Sequence, residues 1–131
     1  MRVVHERKIL QRDFDFYHKA RILAGNAEHR VRVGCVAAHN GKLLAGAFNT
    51  IRNDAKVVSY PQATYHAEHN TINLIPERLL SRCTLYVARI DVDGNWRPSH
   101  PCKYCIAEIK EAGIREVVYV TTADRLVKEY I

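Results

Sequence analysis

The chain has 131 residues, with 20 Lys+Arg against 14 Asp+Glu for a formal charge of +6, and 47% of it is hydrophobic. That length suits one domain, residues 1–131, and the apolar share fills one core, which excludes a disordered tail. No apolar run approaches the roughly 18–20 residues that cross a bilayer, and the opening MRVVHERK lacks the apolar stretch of a secretory signal. The expectation is a cytoplasmic protein with no membrane partner. The basic balance favours phosphate-bearing partners, but it does not separate a nucleotide from a nucleic acid or an acidic protein. A basic surface with no specific partner is as good an account.

Residues 6–24 read as a helix, with Ile9, Phe16, Ala20 and Leu23 at near-helical spacing and Gly25-Asn26 as its stop. The run 31–39 reads as a strand, Asn40-Gly41 as a two-residue hairpin turn, and 42–49 as the antiparallel partner. Residues 50–64 form a polar loop. The segment 65–75 reads as a helix with Thr64 as N-cap and Pro76 past its end. The run 84–90 is a strand, Asp93-Gly94 a turn, and Pro101 opens a helix over 102–112 that Gly113 closes. A strand over 116–122 follows, and the last residues read as a short strand or a frayed helix. A hairpin followed by strand–helix–strand predicts a mixed α/β sheet with helices packed on it. Strands 84–90 and 116–121 should lie parallel across the intervening helix.

The four cysteines fall at Cys35, Cys83, Cys102 and Cys105. In an intracellular chain they argue for metal or redox chemistry before disulfides. Cys102 and Cys105 sit three apart at a helix start, where both sulfurs face one way and the helix terminus favours thiolate. Two thiolates are half of a tetrahedral zinc site. A redox pair would want a strand directly before it, and Pro98 and Pro101 interrupt that context. Cys35 and Cys83 lie in or beside strands and read as small buried hydrophobes. His66 opens the other helix, and with Cys102 and Cys105 it gives three ligands and an open fourth position, the pattern of a catalytic zinc. Glu68, two residues on, can approach a metal-bound water without ligating the metal. Each of these residues also has a plain structural reading, His66 as a cap or core histidine and Glu68 as a first-turn carboxylate. Asp91, Asp93 and Asn95 imitate the start of a calcium loop, but Trp96 and Cys102 stand where Gly and Glu are needed. A polar hairpin turn is the better account.

The joint pattern, His-x-Glu at one helix start and Pro-Cys-x-x-Cys at a later one, resembles the zinc-dependent cytidine/deoxycytidylate deaminase superfamily. Small phage and bacterial members are the nearest subgroup. RVGCVAAHNGKLLAGAFN (32–49) looks like its opening hairpin, and YHAE (65–68) and HPCKYCIAEIKEAGIREVVYV (100–120) like its metal-binding segments. The resemblance implies a three-layer α-β-α sandwich with a mixed sheet of four to five strands. It implies zinc held by His66, Cys102 and Cys105. Glu68 would move the protons as activated water adds to the amine-bearing carbon of a base. Asn49 would bind sugar or base, and the Ala67 amide would meet the base carbonyl. His100 stands where many members have Glu or Ser, near the substrate. Arg52 and Lys56 could meet a phosphate, and Tyr60 borders the same loop. Trp96 or Tyr104 could stack on a base, although packing explains such aromatics equally well. The activity implied is hydrolytic deamination of a cytosine-containing nucleoside or nucleotide (cytidine, deoxycytidine or dCMP), by a homo-oligomer, dimer or tetramer. The alternatives are deamination of adenine or guanine, of a base in single-stranded DNA or RNA, or a non-catalytic zinc-stabilised binding module.

Overall fold

The computed structural model describes residues 5–52 and 64–131. In chain order the elements are β1 (His5–Arg7), α1 (Gln11–Ala24), β2 (Arg32–His39), β3 (Lys42–Phe48), β4 (Thr50–Ile51), β5 (Thr64–Tyr65) and α2 (Ala67–Ile72). A 3-10 turn (Glu77–Arg82) leads to β6 (Thr84–Ile90), β7 (Trp96–Arg97), α3 (Lys103–Ala112), β8 (Glu116–Val120) and β9 (Leu126–Tyr130).

The main sheet has the order β1-β9-β8-β6-β2-β3, with β7 paired to β6. Its centre is the five longer strands β9, β8, β6, β2 and β3. Only the β6–β8 pairing is parallel, as the crossover through α3 requires. β4 and β5 pair separately at the two ends of the predicted loop.

Strand alternation divides the core into two layers. Cys35, Ala37, Leu85, Val87, Val117 and Tyr119 face α2 and α3, where Ile72, Ile109 and Ile114 complete the layer. Val36, Ala38, Tyr86, Ala88, Val118 and Val120 face α1, which contributes Phe16, Tyr17 and Ala20. This is a three-layer α-β-α arrangement around a mixed sheet, the one the resemblance implies. Cys35 and Cys83 are buried in the first layer as small apolar side chains.

Helix α1 lies so close to β2 that a Cβ on Gly34 would fall 1.9 Å from the Ala20 carbonyl oxygen and 2.6 Å from the Ala24 nitrogen. Below α1, Lys128 on β9 reaches Asp13 at 2.7 Å with both side chains buried. The Asp13 carboxylate also accepts the Tyr86 hydroxyl at 2.7 Å and the Leu10 amide at 2.8 Å. Burial pushes the Asp13 carboxyl up, but Lys128 and these hydrogen bonds outweigh it and hold it below its ordinary value of 3.8.

Several boundaries differ from the sequence expectation. The helix expected over 6–24 begins only at Gln11. His5–Arg7 instead pairs with β9, whose outer edge would otherwise be open, and the Leu10–Asp13 hydrogen bond starts the helix after it. The helix expected over 65–75 is α2, 67–72, because Leu74 and Ile75 bond three residues back and unwind the chain ahead of Pro76. Its N-cap is His66 and not Thr64, which lies in β5 paired to Ile51. The strand expected to 122 stops at Val120, where Thr121 and Asp124 turn the chain back. The final segment is a strand, β9, antiparallel to β8. Asn40 and Gly41 take φ of 50° and 74°, the two positive values of a tight hairpin turn.

Two outcomes follow for this core. Gly34→Ala is expected to cost about 3 kcal/mol, because backbone and not a flexible side chain occupies the space; the urea midpoint reads it. Asp13 has its folded acidity enhanced, so its contribution is complete above about pH 4 and fades as pH falls below it. Asp13→Asn should cost about 3–5 kcal/mol at neutral pH by stranding buried Lys128. It should also flatten the acid limb of a stability–pH curve.

Candidate active site

Strand direction decides where the site lies. β2 runs antiparallel to both β3 and β6, so β3 and β6 end at the same edge of the sheet. The chain leaving β3 leads to the start of α2, and the chain leaving β6 leads to the start of α3. Both helix N-termini therefore arrive at one edge.

Each helix begins on a residue with extended backbone, His66 for α2 and Cys102 for α3. Such positions usually hold Ser, Thr, Asp or Asn, whose side chains bond the free amides. Neither His66 nor Cys102 caps its own helix in that way. Their side chains turn to each other instead. His66 Nδ1 lies 3.1 Å from Cys105 Sγ and 3.7 Å from Cys102 Sγ. All three ligand atoms fall within 4.8 Å of one another, and among the described residues this is the one cluster of its kind.

A serine fixes the α3 start. The paired register of β6 and β8 ends at Tyr86 and Val118. Beyond it, Ser99 fits between the diverging strands. Its hydroxyl donates to Val87 O at 2.7 Å and accepts the Val120 amide at 2.9 Å, while its own amide donates to Val120 O. His100, Pro101 and Cys102 follow directly. On α2, Asn70 donates to Phe48 O at 3.0 Å and Thr71 to Cys35 O at 3.2 Å. His69 and Glu108 meet at 2.7 Å and tie α2 to α3.

Glu68 sits in the first turn of α2, buried, with Oε1 lacking a hydrogen-bond partner among the described residues. Burial pushes its carboxyl up. Burial also pushes the Cys105 thiol up, and the neighbouring Glu68 and Cys102 push it further. Three acidic groups thus crowd one partly dry site, which a divalent cation would relieve. Zn–S of about 2.3 Å and Zn–N of about 2.0 Å at tetrahedral angles place nitrogen and sulfur roughly 3.5 Å apart, and the two observed separations, 3.1 and 3.7 Å, bracket that value. The residues present fit zinc.

Two cavities share His66. The inner one, about 120 Å³, is lined by Val31, Val33, His66, Glu68, Val87, Arg89, Pro98, Ser99, His100 and Cys102. The outer one, about 470 Å³, is lined by Arg52, Thr64, Tyr65, His66, His69, Tyr104, Cys105 and Glu108.

A protein-family model described as the cytidine and deoxycytidylate deaminase zinc-binding region matches residues 10–121. The chain belongs to that family. No curated protein is a significant match in sequence. Among solved structures, the cytidine deaminase of Burkholderia pseudomallei is similar at 16% identity and TM-score 0.65, covering 93% of each chain. The dCMP deaminase of the cyanophage S-TIM5, solved in complex with dCMP and dUMP, is similar at 20% identity and TM-score 0.58, over 85% of this chain and 82% of that one. The cytidine deaminase of Mycobacterium tuberculosis is similar at 20% identity and TM-score 0.53, over 80% of each. At these identities the likeness is one of fold. In a deaminase family of this kind, His66, Cys102 and Cys105 are the zinc-type ligand set.

The structure brings His66, Glu68, Cys102 and His100 to the inner cavity. Ala67 is buried at the first turn of α2. His100 packs edge-on against Tyr119, ring centres 4.7 Å apart. Asn49 is buried, but its carboxamide is engaged by backbone: Oδ1 accepts the Val33 amide and Nδ2 donates to Val31 O, each at 2.8 Å. It thereby fixes the strand start that walls the inner cavity. Arg52 lines the outer cavity with its guanidinium 5.2 Å over the Tyr65 ring. Tyr104 lines that cavity too, while Trp96 packs on Tyr17 on the α1 side. Lys56 and Tyr60 lie outside the described residues. Asp91 behaves as a turn residue, its carboxylate accepting the amides of Asp93 and Asn95 at 2.9 Å each. Among the residues missed from sequence are Ser99 and Arg89. A charged residue in a strand that is otherwise apolar, on the same alternating face as Val87, was the available signal for Arg89.

The expected metal content is one zinc per chain after exhaustive dialysis, measured by elemental analysis. Cys105→Ser should lower that occupancy severely, because a hydroxyl is a poor replacement for a thiolate.

Proposed function

We propose that the chain is a zinc-dependent hydrolytic deaminase that converts a cytosine nucleoside or nucleotide (cytidine, deoxycytidine or dCMP) to the uracil form with release of ammonia. The observation that carries this reading is the buried Glu68 carboxylate, its Oε1 without a partner among the described residues, in the same small cavity as His66 and Cys102. A purely structural zinc site has no use for a buried carboxyl oxygen left without a partner, which is costly. Family membership and the fold's likeness to a phage dCMP deaminase support the same substrate class.

In this reading His66, Cys102 and Cys105 hold the metal. When bound there, zinc would supply Lewis-acid chemistry, making a water available as nucleophile near neutral pH. The rest is done by the chain. The inner cavity is far below the roughly 300–1,000 Å³ of sites for drug-sized ligands, so it admits one ring and leaves the remainder of the substrate outside. Val31, Val33 and Val87 give apolar contact to that ring. Glu68 takes a proton as water adds at C4, gives it to ring N3, and moves a second proton to the departing amine. Water and the cytosine compound are consumed, and the uracil compound and ammonia leave. Burial pushes the Glu68 carboxyl up, which makes its carboxylate a stronger base than an exposed one.

Ammonia release from cytidine, deoxycytidine, dCMP, adenine and guanine tests the proposal. Release from a cytosine compound is expected. Glu68→Ala should keep its zinc and its thermal stability while turnover drops by about 10²–10⁴-fold or more. Full activity in that variant, or no release from any compound by zinc-loaded protein, would overturn the assignment.

A further inference from the structure

We propose that Arg30, Arg89 and Arg97 form a phosphate subsite joined to the inner cavity, which makes the preferred substrate a cytosine nucleoside monophosphate. The inference rests on the deaminase reading above and names its substrate class.

A cavity of about 370 Å³ is lined by Arg30, Arg89, Arg97, Asp91, Ile90 and Pro98. Arg89 and Pro98 also line the inner cavity that holds Glu68, so the two spaces share a wall. Arg89 belongs to β6, and alternation from Leu85 through Val87 places it on the α2/α3 face. In the ladder its neighbours are Val33 on one side and Arg97 on the other. Two arginines directly opposite each other in a sheet are destabilising. The one carboxylate lining this cavity, Asp91, pairs with Arg97 at 3.3 Å and is held below its ordinary acidity range by the Asn95 amide first and by other hydrogen bonds and Arg97 after it. It offsets one of the three charges. Among the described residues Arg30 and Arg89 make no ion pair, and two positive charges are left facing the space. Guanidinium forks match phosphate oxygens in pairs. A phosphate there neutralises the like-charge ladder pair and anchors a substrate whose base alone enters the inner cavity.

The shared chemistry is a phosphate, carried either on the substrate's own sugar or by the next link of a single strand. The small inner cavity beside a separate anion space favours the mononucleotide. Zinc-loaded protein is assayed with dCMP, deoxycytidine and a ten-cytosine oligodeoxynucleotide. The expected result is a kcat/KM for dCMP at least a hundredfold above that for deoxycytidine, expressed mainly in KM, and falling with added salt. Arg89→Gln should cut this preference about tenfold, and Arg30→Gln/Arg89→Gln about a hundredfold. Arg78→Gln, on the far 3-10 turn, should leave it unchanged. Equal efficiencies for nucleoside and nucleotide, or a dCMP preference that survives the double variant, overturn the subsite. An oligonucleotide deaminated faster than dCMP, and lost in the double variant, overturns the mononucleotide assignment. If no compound is deaminated, equilibrium binding of dUMP against deoxyuridine still decides. A dUMP preference lost in Arg30→Gln/Arg89→Gln upholds the subsite while the deaminase reading fails, and equal binding refutes both.

Discussion

The site depends on the parallel alignment of β6 with β8. A parallel pair cannot close through a hairpin, so α3 has to carry the chain back across the sheet. Its start must then lie at the C-terminal end of β6. β3 runs in the same direction as β6, so α2 starts at that edge as well. Two helix starts brought together by strand direction supply His66, Cys102 and Cys105. The diverging ends of β6 and β8 create the opening into which Ser99 fits. That single serine, bonded to both strands, sets the height at which Cys102 begins its helix.

The architecture was legible because the hydrophobic pattern of the central strands is strong. Runs such as 32–38, 84–90 and 116–120 are apolar on both faces, which is the mark of a strand covered by helices on each side. Asn40-Gly41 and Gly113 were readable from backbone chemistry alone. The ligand set was readable as well, because Cys-x-x-Cys after proline and His-x-Glu are unusual together. What stayed hidden depended on distant partners. Residues 6–7 have helical neighbours, and only the exposed side of β9 makes a strand at 5–7 the better choice. The last segment could not be assigned until β8 was there to pair with it. Thr64 is the better N-cap by propensity, yet the chain uses His66 at the start of α2, where the imidazole can face Cys105.

The two layers of the core are unequal in chemistry. The α1 side is sealed by the close Gly34 approach and contains a buried charged pair, Asp13 and Lys128, stitched to Tyr86 and the helix start. The α2/α3 side holds the acidic groups of the site, Glu68 and the two thiols, with carboxylate and sulfur close enough to shift one another's acidity. One side of the sheet pairs its buried charges within the chain, while the other holds acidic groups that burial keeps toward their protonated forms around a gap that fits zinc. Positive charge gathers beside it, at Arg30, Arg89 and Arg97, with Arg89 and Pro98 lining both spaces.

Helix α2 has six residues, fewer than an isolated helix needs to be stable in water. It is held by Asn70 and Thr71 to the sheet and by His69 to α3, yet its first turn carries both a ligand and Glu68. Anything that ligates His66 and Cys105 together therefore also staples this turn to α3. Ion affinity and local order become one linked equilibrium, in which binding free energy appears as folding free energy. Loss of the ion would be felt first as fraying of six residues, and the sheet behind them could stay folded while the inner cavity lost one of its walls.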